Sequence, residues 1–236
     1  MNNHSNEIEL IIKLGKYDYM KELVEKGLLY LNTLEFYRKL ENDDERRDLN
    51  EGAVKVRNLQ GGVLYIKDSE TDEFKTVAQL TKSTIRELNS NIQNLNVYCL
   101  YYLKLQMPIK NIGALISSQV KLGFGDHAVI ILDAPEFVTR IKRAAIKKGY
   151  KHYRGLVKYV DLSAEEIEVG PFVKDQSFSH QSELRVAVYT GINDGNAIKL
   201  KLGSLQDIAI IVPTNSLDAL SILEDFDDTR HEKNRR

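Results

Sequence analysis

Hydrophobic and polar residues alternate in short runs along most of the chain, in the pattern that half-buried β-strands produce. The run VYCLYYLKL at 97–105 is the richest in aromatic and branched residues, and it predicts a central strand. Similar runs predict strands at 9–14, 28–32, 63–68, 127–133, 155–162, 183–189, 196–201 and 208–213. Strands are therefore expected to form most of the core.

Helical spacing of apolar residues is confined to a few segments. The clearest are 17–26, which Gly27 ends, and 135–148, where Pro135 suits the first turn. Less regular segments predict helices at 33–41, 109–122 and 214–226, a small β meander at 53–79, loops at 41–52 and 165–168, and either a helix or a loop at 80–95. The fold class that follows is α+β, with mixed, mainly antiparallel sheets and peripheral helices.

The domain organisation follows from the even composition of the 236 residues, which show no internal repeat and no low-complexity linker. We expect a single domain over 1–236, with an ordered core at 8–226 and a flexible tail at 227–236. The polar start lacks the apolar core of a signal peptide, and no apolar run approaches the length of a membrane helix. We therefore expect a cytoplasmic protein without membrane contact.

Charge and cysteine content narrow the function classes. The 33 basic and 34 acidic side chains nearly cancel, which argues against a generic polyanion binder, although the helix at 135–148 has a basic face. Cys99 is the single cysteine, so no internal disulfide can form. It lies in an apolar strand, where a thiolate is disfavoured. The five histidines lack metal-ligand spacing, so no metal site is expected.

The stretch FSHQSELRVAV at 178–188 contains the strongest candidate for chemistry. Because residues two apart in a strand point the same way, Gln181, Glu183 and Arg185 should share one face. A carboxylate with an amide two residues earlier suits ligand hydroxyls, and it can stabilise the positive charge of an oxocarbenium-like sugar. The alternative is that Glu183 only pairs with Arg185 or a nearby lysine.

Other candidates flank the early strands. In RRDLNEG at 46–52, one helical turn would place Asp48 and Glu51 on the same side, where they could bind a ribose, a metal or a cationic partner. Tyr30 and Asn32 share one face of the strand at 28–32, where a tyrosine can stack on a nicotinamide or a base. His127 begins a buried strand and either orients a ligand or caps the strand.

Several familiar motifs are absent from the sequence. The GFG at 123–125 is not followed by the rest of a G-x-G-x-x-G pattern or by a helix, so it does not indicate a Rossmann site. The sequence also lacks a Walker A motif, a G-x-S-x-G elbow and an H-E-x-x-H motif.

The order of motifs resembles a large group of prokaryotic proteins of related domain type. The matching parts are LIIKLGKYDYMKELVEKGLLYLNTLEFYRKLE, ERRDLNEG, GDHAVII, GLVKYVDL and FVKDQSFSHQSELRVAV, which together cover roughly residues 8 to 213. The last of them contains the closing signature K-x-x-x-F-x-x-Q-x-E-x-R. That group is similar in layout to ADP-ribosyltransferases, including the toxin of a three-part toxin, antitoxin and chaperone system in bacterial antiphage defence.

The resemblance implies an ADP-ribosyltransferase-like fold, NAD as the cofactor, and either RNA or protein as the acceptor, with an antitoxin and a chaperone as candidate partners. It implies that Glu183 contacts the nicotinamide ribose and that Gln181 orients the acceptor. It also suggests that NAD is bound by Lys13, Tyr30, Asn32 and His127. A mobile acidic flap over the cofactor would be formed by Arg47, Asp48 and Glu51. The alternative is a metal-dependent nuclease that uses Asp48 and Glu51, or a non-catalytic nucleotide-binding module.

Overall fold

A computed structural model of the protein describes residues 7–41, 45–106 and 108–223. Its strands are β1 (Glu7–Gly15), β2 (Leu28–Thr33), β3 (Ala53–Leu59), β4 (Gly62–Lys67), β5 (Phe74–Leu80), β6 (Ser83–Leu88), β7 (Asn96–Gln106), β8 (His127–Ile131), β9 (Lys151–Leu156), β10 (Lys158–Val160), β11 (Glu166–Glu168), β12 (Val173–Asp175), β13 (Glu183–Tyr189), β14 (Ile198–Lys201) and β15 (Ala209–Pro213). Its α-helices are α1 (Tyr17–Lys26), α2 (Leu34–Lys39), α3 (Ser90–Gln93), α4 (Ser118–Gly123) and α5 (Ala134–Lys147), and 3₁₀ turns cover Gly113–Leu115, Gln176–Gln181 and Thr214–Ala219.

The main sheet is antiparallel and follows the order β14-β2-β7-β1-β8-β15, with β13 and β9 attached through β7. Strand β7 pairs with β13 along one edge, from Asn96 opposite Val188 to Tyr101 opposite Glu183. Along its other edge β7 pairs with both β1 and β2. The predicted α+β class with mainly antiparallel sheets and few helices is confirmed.

The second edge of β7 is split between two partners. Strand β1 pairs with residues 101–106 of β7, whereas β2 pairs only with Asn96 and Val97. Residues 98–100 therefore have no strand partner on this edge in the described part of the chain. Because β1 and β2 diverge from the same neighbour, a cleft opens between them.

Apolar residues from alternate positions of the strands form a core on each face of the main sheet. On one face, Ile11, Leu100 and Val186 pack beneath α1 and α5, whose Leu23 and Phe137 are fully buried. The other face has its own cluster, which includes the following residues: Leu10, Ile12, Tyr101, Ile116, Val120, Ile130 and Leu217. The period-two pattern of the sequence is thus explained by burial on both sides of one sheet.

Three smaller sheets accompany the main one. Strands β11, β3 and β6 form an antiparallel sheet, and β10 and β12 form a short parallel pair. Strands β4 and β5 form a hairpin whose strand residues are all exposed, including Leu64, Ile66 and Phe74. An isolated two-stranded hairpin is marginally stable in water, so this arm contributes little to the stability of the body.

The predicted helices at 109–122 and 214–226 are only partly helical: the first contains a 3₁₀ turn and most of α4, and the second begins with a 3₁₀ turn. Residues 224–226 lie outside the described residues. One backbone pairing explains why neither helix is continuous. The backbone of Ile109 exchanges hydrogen bonds with Ile222 at 2.8 and 2.7 Å, and Ile112 N–H donates to the Leu220 carbonyl at 3.0 Å. This pairing satisfies the backbone outside a helix and buries Ile109 and Ile112. Only α4, which the Ser117 hydroxyl caps, and the 3₁₀ turns retain helical geometry.

Other boundaries also differ from the expectation. The strand predicted at 155–162 divides at Val157 into β9 and β10, because Val157 N–H bonds to Glu183 whereas Lys158 N–H bonds to Phe172. The loop expected at 165–168 contains β11, and the segment 80–95 contains β6 and α3. The tail at 227–236 lies outside the described residues. Within the described ranges, no helix is long and apolar enough to span a membrane.

Candidate active site

A cleft of about 570 Å³ occupies the split between β1 and β2. This volume falls in the range of small-molecule and cofactor sites. Its walls combine three kinds of side chain: the aromatic residues Tyr19, Tyr30, Phe36, Tyr37, Tyr98 and Phe124; the cations Lys13, Lys16, Arg46, Lys174, Arg185 and Lys199; and the carboxylates Glu22, Glu45, Glu51 and Glu183. Flat aromatic surfaces, together with an excess of cations over carboxylates, suit a ligand that has both ring systems and negative groups.

Arg185 organises the inner wall of the cleft. Its guanidinium donates from Nε to Glu183 Oε1 at 2.6 Å, and its two terminal nitrogens contact both oxygens of Glu51 at 3.1 and 2.6 Å. It also donates to the Pro171 carbonyl at 2.5 Å. Only 1% of Arg185 is exposed, so these bonds form in a poorly hydrated interior.

Lys174 supplies the second cation of the inner wall. Its Nζ donates to Glu183 Oε2 at 2.9 Å and to Gln181 Oε1 at 2.9 Å, and it lies 3.8 Å from Glu51 Oε1. Two carboxylates and two cations therefore form one buried, electrically balanced cluster. The ammonium also lies 5.4 Å from the centre of the Phe178 ring. The Lys, Phe, Gln, Glu and Arg of the closing signature thus meet in space.

The cluster keeps Glu183 ionised. Burial alone would raise the pKa of this carboxyl, but Arg185 and Lys174 outweigh burial and hold the pKa well below its usual range. Burial would likewise lower the pKa of Lys174, but Glu183 and Glu51 raise it above its usual range. Both groups are therefore charged throughout the neutral pH range.

A backbone kink explains how Gln181 and Glu183 meet although they do not share a strand. Gln181 ends a 3₁₀ turn, Ser182 adopts a left-handed conformation with φ of +39°, and β13 begins at Glu183. The Ser182 hydroxyl donates to the Tyr102 carbonyl at 2.6 Å, and the Ser182 carbonyl accepts from Tyr102 N–H at 2.8 Å. A left-handed non-glycine residue is strained, so the contacts with β7 hold it in place.

Lys13 projects from β1 into the split. Its Nζ donates to the Cys99 carbonyl at 2.7 Å, where a strand partner of β7 is missing, and it lies 4.6 Å from the centre of the Tyr98 ring. Burial lowers the pKa of this ammonium, despite the opposing charge of Glu183. Burial also raises the pKa of the Cys99 thiol to about 12, which keeps the sulfur protonated and non-nucleophilic.

The segment that precedes β3 forms one side of the cleft. The Glu45 carboxylate lies 3.0 Å from His180 Nε2, and the Glu45 carbonyl accepts from Gln181 Nε2 at 2.5 Å. Arg46 donates to the Phe124 carbonyl at 3.3 Å and lies over the Phe124 ring. These bonds attach the segment to both the 3₁₀ turn at 176–181 and the end of α4.

Asp48 belongs to the same segment, but it is buried and does not line the cleft. Its Oδ1 accepts from Asn50 N–H at 2.8 Å, whereas its buried Oδ2 has no hydrogen-bond partner within the described chain. Burial, followed by the nearby charge of Glu51, raises the pKa of Asp48 to about 6. A buried, half-satisfied carboxylate of this kind opposes folding at neutral pH.

The structure brings together most, but not all, of the candidate residues from the sequence. The cleft is lined by Lys13, Tyr30, Asn32, Glu51, Gln181 and Glu183. Arg47 is exposed and Asp48 is buried, and neither lines the cleft. His127 also lies outside it, where its ring contacts Asp126 at 3.1 Å and packs on Tyr17.

The lining residues that were not proposed from the sequence include Lys174, Tyr98, Lys16 and Lys199. Lys174 could have been found, because it is the first residue of the closing signature. The other three have no signal in the sequence. Among the described residues, no group of three or more His, Cys, Asp or Glu side chains is arranged to hold a metal ion.

Comparisons of the chain with family models, curated proteins and solved structures gave no match.

Proposed function

We propose that the protein is an NAD-dependent ADP-ribosyltransferase that acts as a toxin in bacterial antiphage defence and modifies RNA or protein. The observation that carries the proposal is the position of Glu183, a fixed carboxylate in a cleft of about 570 Å³, next to Gln181. The motif order supports it, because the residues of the signature that resembles these transferases converge on this cleft. An antitoxin and a chaperone are the partners that belong to this proposal.

The lining of the cleft has the chemistry that NAD requires. Tyr30, Tyr98 and Phe124 offer ring faces for the nicotinamide or the adenine. Lys13 and Arg46 offer positive charge for the pyrophosphate. The split of the sheet therefore combines ring-binding and phosphate-binding groups along one cleft, which is what an ADP-ribosyltransferase-like fold needs.

In the proposed reaction, the bond between the ribose C1′ and the nicotinamide nitrogen breaks, and its electron pair leaves with neutral nicotinamide. A nucleophilic atom of the acceptor forms the new bond to C1′ and releases its proton to solvent. Glu183 accepts hydrogen bonds from the ribose hydroxyls and stabilises the positive charge that develops at C1′. Lys174 and the Glu45 carbonyl fix the Gln181 amide, which would orient the acceptor.

The ion pairs of Glu183 define how it contributes. Each of its oxygens contacts one cation, and a carboxylate has about four acceptor sites, so sites for ribose hydroxyls remain. The same cations reduce the negative field that reaches the ribose. We therefore assign Glu183 mainly a hydrogen-bonding role, and charge stabilisation second.

The test is transfer of label from NAD to acceptors in a bacterial extract. Glu183→Gln keeps the size of the side chain and should lower transfer by roughly 100-fold. Glu25→Gln, on the exposed face of α1, is the matched control and should transfer label as the wild type does. Full transfer by Glu183→Gln would refute the assigned role. RNA cleavage that requires Mg²⁺ and Asp48, without label transfer, would favour a nuclease instead.

A nucleotide-binding module without catalysis is the second candidate, and the pairing of both Glu183 oxygens with cations favours it. Calorimetric titration with NAD separates the two functions. Binding without transfer in any extract would support the module, whereas binding with Glu183-dependent transfer supports the enzyme.

A further inference from the structure

A strongly basic segment of the chain runs through α5 and β9 to the first residue of β10, outside the cleft. The 24 residues at 137–160 contain eight lysines or arginines and no aspartate or glutamate. Arg140 is neutralised by Glu136 and Asp207, and Arg143 lies 3.7 Å from Glu136. The remaining six are exposed and have no salt bridge to any residue in the described ranges: Lys142, Lys147, Lys148, Lys151, Arg154 and Lys158.

Two of these six cations, Lys142 and Arg154, form the basic rim of a groove of about 770 Å³ between α5 and the β13–β9 edge of the main sheet. Apolar side chains line most of the groove: Ile11, Val138, Ile141, Leu156, Leu184 and Val186. Tyr102 adds an aromatic ring, with Glu9 beside it. Lys142 lines it from the helix, and His152 and Arg154 line it from β9. The groove shares no lining residue with the cleft.

We propose that this groove and its basic rim bind single-stranded nucleic acid. Lys142 and Arg154 are exposed and have no salt bridge within the described ranges, so they are suited to phosphates, whose neutralisation releases counterions. An apolar groove with a tyrosine can hold the face of an unpaired base. This binding is separate from the chemistry assigned to the cleft.

The shape of the surface distinguishes single strands from other polyanions. A lipid surface would contact the raised rim and leave the concave apolar groove empty. A duplex keeps its bases stacked inside the helix, so it cannot place one in the groove without unpairing. A single strand can place phosphates on the rim and a base in the groove at the same time.

The test is fluorescence anisotropy with a labelled 15-nucleotide oligouridine, in the absence of NAD. The double variant Lys142→Glu/Arg154→Glu should bind at least about tenfold more weakly than the wild type, and the slope of log K against log salt should fall by about 1.4. The matched control Lys82→Glu/Lys110→Glu makes the same charge change at exposed lysines elsewhere, and it should bind within about twofold of the wild type. Equal weakening by both pairs would overturn the proposal.

Companion measurements exclude trivial outcomes. Lys142→Gln/Arg154→Gln should also weaken binding, and thermal melting shows whether each variant is folded. Duplex RNA, phosphatidylserine vesicles and polyglutamate should all compete poorly against the oligouridine, and tighter binding to any of them would refute a single-strand site. Glu183→Gln should bind oligouridine normally, so failure of the transferase and failure of this surface give different results.

Discussion

At the residue scale, Lys174 shows how one buried cation can connect distant parts of the sequence. Its ammonium contacts Gln181 and Glu183, and it approaches Glu51, which precedes it by more than 100 positions. Charges this deep are stable only while each has its partner, because an unpaired ion in the interior keeps its full desolvation penalty. The cluster therefore depends on each of its members.

Lys174→Met is expected to lower the free energy of unfolding by about 3 kcal/mol, because it leaves Glu183 and Glu51 undercompensated while preserving side-chain length. Urea unfolding measures the change. Lys75→Met is the control: it breaks a 2.8 Å ion pair with Asp68, but the Lys75 side chain is 65% exposed, so the change should stay below about 1 kcal/mol. Equal losses would show that the buried cluster has no special role.

The pKa of Asp48, which is raised to about 6, predicts a pH dependence of stability. The folded state binds a proton at Asp48 more tightly than the unfolded chain, whose carboxyl has a pKa of about 3.9. The stability from this group is therefore full below about pH 4 and is lost as the pH rises to about 6. Asp48→Asn removes that loss, so its unfolding free energy relative to the wild type should rise by about 2 kcal/mol between pH 4.5 and 7.5.

Urea titrations of both proteins across this pH range provide the check on Asp48. A constant difference between the two proteins would mean that this carboxyl does not titrate differently in the folded and unfolded states.

At the element scale, the short junction between the 3₁₀ turn at 176–181 and β13 positions the candidate catalytic pair. Its conformation depends on one strained residue, Ser182, which β7 holds through two hydrogen bonds. The strain and the hydroxyl bond act in opposite directions on stability, and two substitutions can separate them.

Ser182→Gly removes both the strain and the hydroxyl bond, whereas Ser182→Ala keeps the strain and loses the bond. We expect the alanine variant to be less stable than the glycine variant by about 1 kcal/mol. Thermal unfolding monitored by circular dichroism measures the difference. An alanine variant as stable as the glycine variant would mean that Ser182 is not strained.

Most of the helices and strands could be predicted from the sequence. Strands at 97–105 and 183–189 and the helix at 135–148 lie where the periodicity places them, because burial on one or both faces sets that periodicity. The conformation of the segments 109–122 and 214–226 could not be predicted, because it is decided by pairing between two segments about 110 residues apart. Helical spacing alone cannot reveal such a long-range partner.

The candidate site could be predicted only in part, because some of its residues are far apart in the sequence. The face shared by Glu183 and Arg185 follows from strand alternation, and their pairing was one of the two alternatives. The second partner, Glu51, lies 134 positions away from Arg185, so no local pattern could identify it. The cleft forms because β1 and β2 pair with different parts of one edge of β7, and this pairing is a property of the tertiary fold.

At the scale of the whole molecule, the β4–β5 hairpin is separate from the parts that form the cleft. All residues of its two strands are exposed, and these strands pair only with each other in the described sheets. Strands β3 and β6, from which it extends, are already paired from Ala53 opposite Leu88 to Leu59 opposite Ser83. The body therefore has a closed ladder at the base of the arm.

Replacement of residues 60–82 by an Asn-Gly turn should leave the free energy of unfolding within about 1 kcal/mol of that of the full chain, because only a marginally stable arm is removed. NAD titration and urea unfolding of the shortened protein are the measurements. Loss of cooperative unfolding would show that the arm supports the body, whereas unchanged NAD binding would confirm that it is independent of the cleft.

The divergence of β1 and β2 from a common neighbour also has a mechanical consequence. A change of twist that rotates the two walls about β7 would leave the ladders of β7 with β1, β2 and β13 intact, so we expect a thicker ligand to widen the cleft in this way. Across the gap, the bond from Lys13 to the Cys99 carbonyl is the contact that such a movement would stretch. We therefore expect the width of the opening to adjust to the ligand while the core stays packed.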